Sequence, residues 1–106
     1  MQINVSGRHM TVSDSVREYC QQKASKLVRF FDRIQSIDVV LDGHNGHHFA
    51  ELIVHSEGTA PFVASEEQDD MHAAVDLVMD KIERQIRRHK DRLRNRKHPP
   101  KVRTED

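Results

Sequence analysis

Disulfides, tryptophan and long apolar runs are all absent from this sequence. One cysteine, Cys20, stands among 106 residues, so no internal disulfide can form and the fold must rest on noncovalent packing. After Met1 there is no basic segment followed by an apolar one, and no apolar run approaches the roughly 20 residues of a membrane-spanning helix. These absences are expected of a protein of a reducing compartment, most simply the cytoplasm. With no tryptophan, one tyrosine and four phenylalanines, the core must be mainly aliphatic. No glycine-rich phosphate loop, nucleophile elbow or paired-carboxylate signature is present. The expectation is a binding protein that needs no cofactor, and not an enzyme.

Hydrophobic residues make up 36% and charged residues 32%. That is polar for a globular domain, yet sufficient for one modest core. The formal net charge is zero, with 17 basic and 17 acidic side chains, but the two signs are segregated. Residues 1–80 carry 6 Lys/Arg against 13 Asp/Glu, and residues 81–103 carry 11 against 2. An acidic body joined to a strongly basic stretch implies a partner of dense negative charge, and nucleic acid is the commonest.

Hydrophobic periodicity places six elements. Ile3 and Val5 alternate in a first strand over 2–6, which Gly7 ends. Ser13 is a candidate N-cap, and Val16, Cys20, Ala24, Leu27 and Phe31 then mark one face of an amphipathic helix. Ile37, Val39 and Leu41 alternate in a second strand over 34–41. A Gly- and Asn-containing turn over 42–46 leads to Ala50, Leu52 and Val54 in a third strand over 49–55. A short fourth strand over 62–65 follows Pro61. A long helix then starts near Gln68 or Asp69, its stripe running through Met71, Val75, Val78, Ile82, Ile86, His89 and Leu93. Pro99-Pro100 ends any helix. The order predicts an α+β fold, β-α-β-β-β-α, with a four-stranded sheet and two helices packed on one face. Residues 1–94 form the single domain, and residues 95–106 a basic, flexible tail.

Helical geometry decides where the charges fall. Lys81, Arg84, Arg88 and Arg92 lie along one flank of the second helix's apolar stripe. Arg87, Lys90 and Arg94 lie farther round. Lys23, Lys26, Arg29 and Arg33 sit outside the stripe of the first helix. If the helices pack side by side, these residues form a broad positive surface able to hold several phosphates at once. Charged helix faces are usually only solvated surface. Eleven positive charges against two within 23 residues, in an otherwise acidic chain, favour a binding role. The candidate RNA-binding residues are therefore Lys23, Lys26, Arg29, Lys81, Arg84, Arg87, Arg88, Lys90 and Arg92.

Other chemistry is poorly supported. His44, His47 and His48 cluster in a turn that offers no fixed scaffold for a metal, and no metal ligands are assigned. His89 falls on the core stripe and is expected to be partly buried. Cys20 reads as a small core residue. Glu66, Glu67, Asp69 and Asp70 are expected to cap the second helix and suit its dipole.

Three segments carry a resemblance to a known family. They are Met1-Gln2-Ile3-Asn4-Val5-Ser6-Gly7; Lys23-Ala24-Ser25-Lys26-Leu27 with Phe31-Asp32-Arg33-Ile34; and Asp70-Met71-His72-Ala73-Ala74-Val75-Asp76, continued by Asp80-Lys81-Ile82-Glu83-Arg84-Gln85-Ile86 and His89-Lys90-Asp91. In this order the chain resembles the ribosome hibernation promoting factor family, with its ribosome-associated inhibitor proteins of bacteria, over roughly residues 1–94. One departure is His72, where the family often has tyrosine. The resemblance implies a fold similar to a double-stranded RNA-binding domain with an extra first strand. It implies binding in the messenger and transfer RNA channel of the small ribosomal subunit, where basic helix residues hold ribosomal RNA and translation stops by occlusion. By position, Lys23, Lys26, Lys81, Arg84, Arg88 and Lys90 match the family's basic residues. Pairing of ribosomes into dimers is a further property of some members. The competing reading is a protein-interaction module whose basic helix docks an acidic protein partner.

Overall fold

Alternation at period two and stripes at helical spacing resolve into six elements in the computed structural model, which describes residues 2–97. They are β1 (Gln2–Arg8), α1 (Asp14–Phe30), β2 (Ile34–His44), β3 (His47–Ser56), β4 (Phe62–Gln68) and α2 (Met71–Lys97). The sheet order is β1-β2-β3-β4. β1 pairs parallel with β2, across the connection that carries α1, and the other pairs are antiparallel. The α+β architecture expected from the order of patterns is thus the one observed.

One face of the sheet supplies the core. Val5, Ile37, Val39, Leu41, Ala50, Leu52, Val54, Phe62 and Ala64 are buried there. Cys20, Ala24, Leu27 and Phe31 come down on them from α1 and its C-cap, and Val75, Val78, Ile82 and Ile86 from α2. Both helices therefore cover the same face. Fully burying each Leu- or Ile-sized side chain contributes about 1.5–3 kcal/mol.

Local chemistry sets the element ends. Ser13 caps α1, its hydroxyl accepting from the Val16 N–H. Asp70 caps α2: its carboxylate accepts from the Ala73 N–H at 2.9 Å and its carbonyl from the Ala74 N–H at 3.0 Å. That starts α2 at Met71, later than expected. Glu66 and Glu67, expected as helix-capping residues, belong instead to β4, which runs to Gln68. Pairing with His48–Glu51 of β3 holds Ser65-Glu66-Glu67-Gln68 extended, although the segment has no apolar alternation of its own.

The hairpin between β2 and β3 is tighter than the expected five-residue turn. Asn45 and Gly46 both have positive φ, 50° and 80°, which suits a two-residue turn whose twist matches the strands. The ladder then closes up to the His44–His47 pair. Gly7 does not end β1. It lies where a Cβ would stand 2.4 Å from the Met10 carbonyl oxygen, so the chain can fold back tightly after the strand.

Each outer strand is bonded by a helix side chain. Arg17 of α1 donates to the Val5 carbonyl at 2.7 Å. Lys81 and Gln85 of α2 donate to the Ser65 and Val63 carbonyls, both at 3.0 Å. These bonds occupy edge groups that would otherwise invite another strand. α2 has 27 residues, about 40 Å at 1.5 Å per residue. Ile86 is its last buried stripe residue, and His89 and Leu93 are half-buried. The helix continues through Lys97, so residues 95–97 are helical where a flexible tail was expected. The rest of that expected tail lies outside the described residues.

Candidate nucleic-acid interface

α1 and α2 run side by side in the same direction. Near their N-terminal ends the Tyr19 hydroxyl donates to Asp76, and the Tyr19 ring meets His72 edge-on at 4.6 Å. Near their C-terminal ends Lys90 lies 4.3 Å and Arg87 5.6 Å from the Phe30 ring centroid. The parallel arrangement brings the basic C-terminal halves of both helices to one end of the layer. Those are also the ends where the helix dipole favours cations.

The nine candidate cations divide by what they touch. Lys23 pairs with Asp76 at 3.3 Å. The hydrogen bond from Tyr19, and then Lys23, hold the Asp76 carboxyl below the usual carboxylate range. The same contacts raise the Tyr19 phenol and the Lys23 ammonium, the bond to Asp76 being the main cause in each. Lys81 pairs with Glu66 at 2.8 Å and lowers its pKa, with Gln68 next in importance. Arg87 pairs with Glu83 at 2.8 Å. Lys90 donates to the Phe30 carbonyl at 3.0 Å, closing the C-terminal end of α1.

Lys26, Arg29, Arg84, Arg88 and Arg92 differ. All five are exposed, and none makes an ion pair with a described residue. Arg84 acts on Glu66 only as a weaker, more distant charge. Arg84, Arg88 and Arg92 follow one another at i,i+4, so they form a row along α2. Lys81 marks this as the flank beside β4. Lys26 and Arg29 lie on the outer side of α1, with Arg87 and Lys90 in the seam between the helices. The two helices thus lie side by side with paired cations in the seams, and five exposed cations outside them make no ion pair with a described residue.

Two seam residues, Tyr19 and Phe30, were not singled out from the sequence. Both sit beside the apolar stripe of α1, where periodicity gives them no signal. The one hint is composition, since Tyr19 is the sole tyrosine. Among the described residues no three metal-type ligands converge. Cys20 is fully buried, and desolvation pushes its thiol up to about 11, so it is protonated at neutral pH. His89 is half-buried against the rings of Phe31 and Phe62, at 6.0 and 5.5 Å. No described helix is long and apolar enough to cross a membrane.

Comparison with known proteins identifies the family and the fold. The profile of the family described as Sigma 54 modulation protein / S30EA ribosomal protein matches residues 3–94. A ribosome hibernation promoting factor of Azotobacter vinelandii is 41% identical over 92 residues, covering 87% of this chain and 85% of the relative. That of Escherichia coli K12 is 37% identical over 94 residues, covering 89% and 98%. Among solved structures, a ribosomal subunit interface protein from Coxiella burnetii superposes with a TM-score of 0.79 at 27% identity, covering 86% of this chain and 99% of that one. The N-terminal domain of Thermus thermophilus Protein Y gives 0.75 at 31%, covering 84% and 99%. The chain thus belongs to the Sigma 54 modulation protein / S30EA ribosomal protein family, that of the ribosome hibernation promoting factors.

Proposed function

We propose that this protein binds the small ribosomal subunit and silences it by occupying the channel of messenger and transfer RNA. It is a binding protein that makes and breaks no covalent bond. The reading is carried by one observation: five exposed cations that make no ion pair with a described residue stand at the basic end of two parallel helices. Lys26, Arg29, Arg84, Arg88 and Arg92 are free to exchange water for phosphate oxygens, each contact releasing counterions. Lys23, Lys81, Arg87 and Lys90 fix the relative position of the helices and the sheet edge, and add their charge to the same field. Folded RNA is read by shape and backbone, and a rigid two-helix layer suits that mode.

Co-sedimentation with small subunits tests the reading. Binding is expected at low salt and should be lost at high salt. A charge-assisted hydrogen bond contributes about 1.5–3 kcal/mol, so Arg84→Glu combined with Arg88→Glu should weaken binding by about 100-fold or more. Circular dichroism should show the fold unchanged. Normal pelleting of the double variant would refute the site. Binding that survives complete nuclease digestion would reassign the helix to an acidic protein partner.

A further inference from the structure

The geometry points to the open face of the sheet as a second docking surface, for an extended, arginine- or lysine-rich segment of a partner protein. The helices cover one face only. The other presents four carboxylates, Asp38, Asp42, Glu51 and Glu67, on three neighbouring strands.

Register makes Glu51 the centre of this set. Val40 and Ser65 stand opposite it on β2 and β4. Asp38 stands opposite Ile53, and both Asp42 and Glu67 stand opposite Phe49. Ile53 and Phe49 are two residues either side of Glu51, so the other three carboxylates are its diagonal neighbours, about 7–8 Å away. An extended chain places alternate side chains about 6.6–6.8 Å apart on one face. A segment with a cation at every second residue therefore matches the spacing of these carboxylates. Val40, Ile53 and Phe49 around Glu51 supply apolar surface for the stems of long cationic side chains.

Glu51 is half-buried and makes no ion pair or side-chain hydrogen bond with a described residue. Asp38 and Glu67 meet imidazoles, His55 at 3.2 Å and His47 at 3.2 Å. Among the described residues one full cation is present on this face: Arg8 lies 3.5 Å from Asp42 and 5.5 Å from the Phe49 ring centroid. Arg8 thus shows, within the molecule, how this face holds an arginine, against a carboxylate and over an aromatic ring. Phosphate would be repelled here. If the helices lie on RNA as proposed, the sheet turns away from it, toward the protein component of the assembly. The inference rests on the proposed function for that orientation alone.

Two measurements test it. An extended peptide alternating arginine with threonine, fluorescently labelled, is titrated with the free protein and followed by anisotropy. Saturable binding is expected, with Glu51→Gln and Asp38→Asn each weakening it by about tenfold, the effect of about 1.4 kcal/mol. Glu18→Gln removes the same charge from exposed α1 and should leave affinity unchanged. Equal loss in Glu18→Gln, or none in Glu51→Gln, overturns the proposal. So does a concentration-dependent dimer that excludes the peptide, which assigns the face to a second copy. On the ribosome, a photo-crosslinker attached through Ile53→Cys should mark an identified basic ribosomal protein; labelling of ribosomal RNA alone overturns the proposal. Cys20 is buried, so only the new thiol reacts. Failure of the protein to pellet with ribosomes would sink the proposed function and leave the peptide result standing.

Discussion

Lys81 and Arg88 lie on the same flank of α2 and are not equivalent. Lys81 is tied to Glu66 and to the edge of β4, whereas Arg88 is exposed and makes no ion pair with a described residue. Lys81→Ala should therefore lower Tm, with a modest loss of ribosome affinity. Arg88→Ala should leave Tm in place and weaken binding by about tenfold, the loss of one charge-assisted contact. Thermal melts and co-sedimentation on both variants check this, and a reversed pattern would mean that the roles are exchanged. Asp76 permits a pH prediction. Its carboxyl is held below the usual range by Tyr19 and Lys23, so the native state favours the ionised form. A depressed folded-state pKa gives stability that is present above the unfolded-state value and lost as pH falls through the folded one. The Tm difference between wild type and Asp76→Asn should be full at neutral pH and close on acidification below the ordinary carboxylate range. A difference that grows in acid would contradict the assignment.

At the scale of elements, the buried patterns were readable in the sequence and the polar continuations were not. Ile37-Val39-Leu41 and Ala50-Leu52-Val54 announce β2 and β3, because burial on one face imposes period two. The same logic drew α2 through Ile82 and Ile86. The end of β4 leaves no such pattern, because Glu66, Glu67 and Gln68 carry no apolar alternation and only the ladder with β3 keeps them extended. The acidic cluster divides for the same reason: Asp70 makes the capping bond, while Glu66, held in β4, pairs with Lys81. Which cations are free was likewise illegible, because pairing is a tertiary fact. Lys23 and Lys26 look alike in sequence, and only the seam with α2 separates them. Asp70→Ala tests the cap. It should cost about 1 kcal/mol, typical of an N-cap loss, visible as a lower urea midpoint with an unchanged m-value. No shift in midpoint would show that α2 starts without help from Asp70.

At the scale of the molecule, the zero net charge hides two opposed faces. The helix layer gathers free cations at one end, and the open sheet gathers carboxylates. The thinnest dimension is 19 Å, more than twice the Debye length of about 8 Å at physiological ionic strength. Exposed charges on the two faces are therefore largely screened from each other, and each face would meet its proposed partner through its own charges. Binding through the helix layer should then follow the count of free cations on that layer, independent of the net charge. Five phosphate contacts, at about 0.7–0.9 counterions each, give a slope of log affinity against log salt of about −4. Removing one contact with Arg88→Ala should make the slope shallower by about one. A slope near zero, as the formal charge of the whole chain would suggest, would rule out phosphate contact as the source of affinity. A slope much steeper than −4 would bring the paired cations Lys23, Lys81, Arg87 and Lys90 into direct contact with RNA, their internal ion pairs exchanged for phosphates on binding.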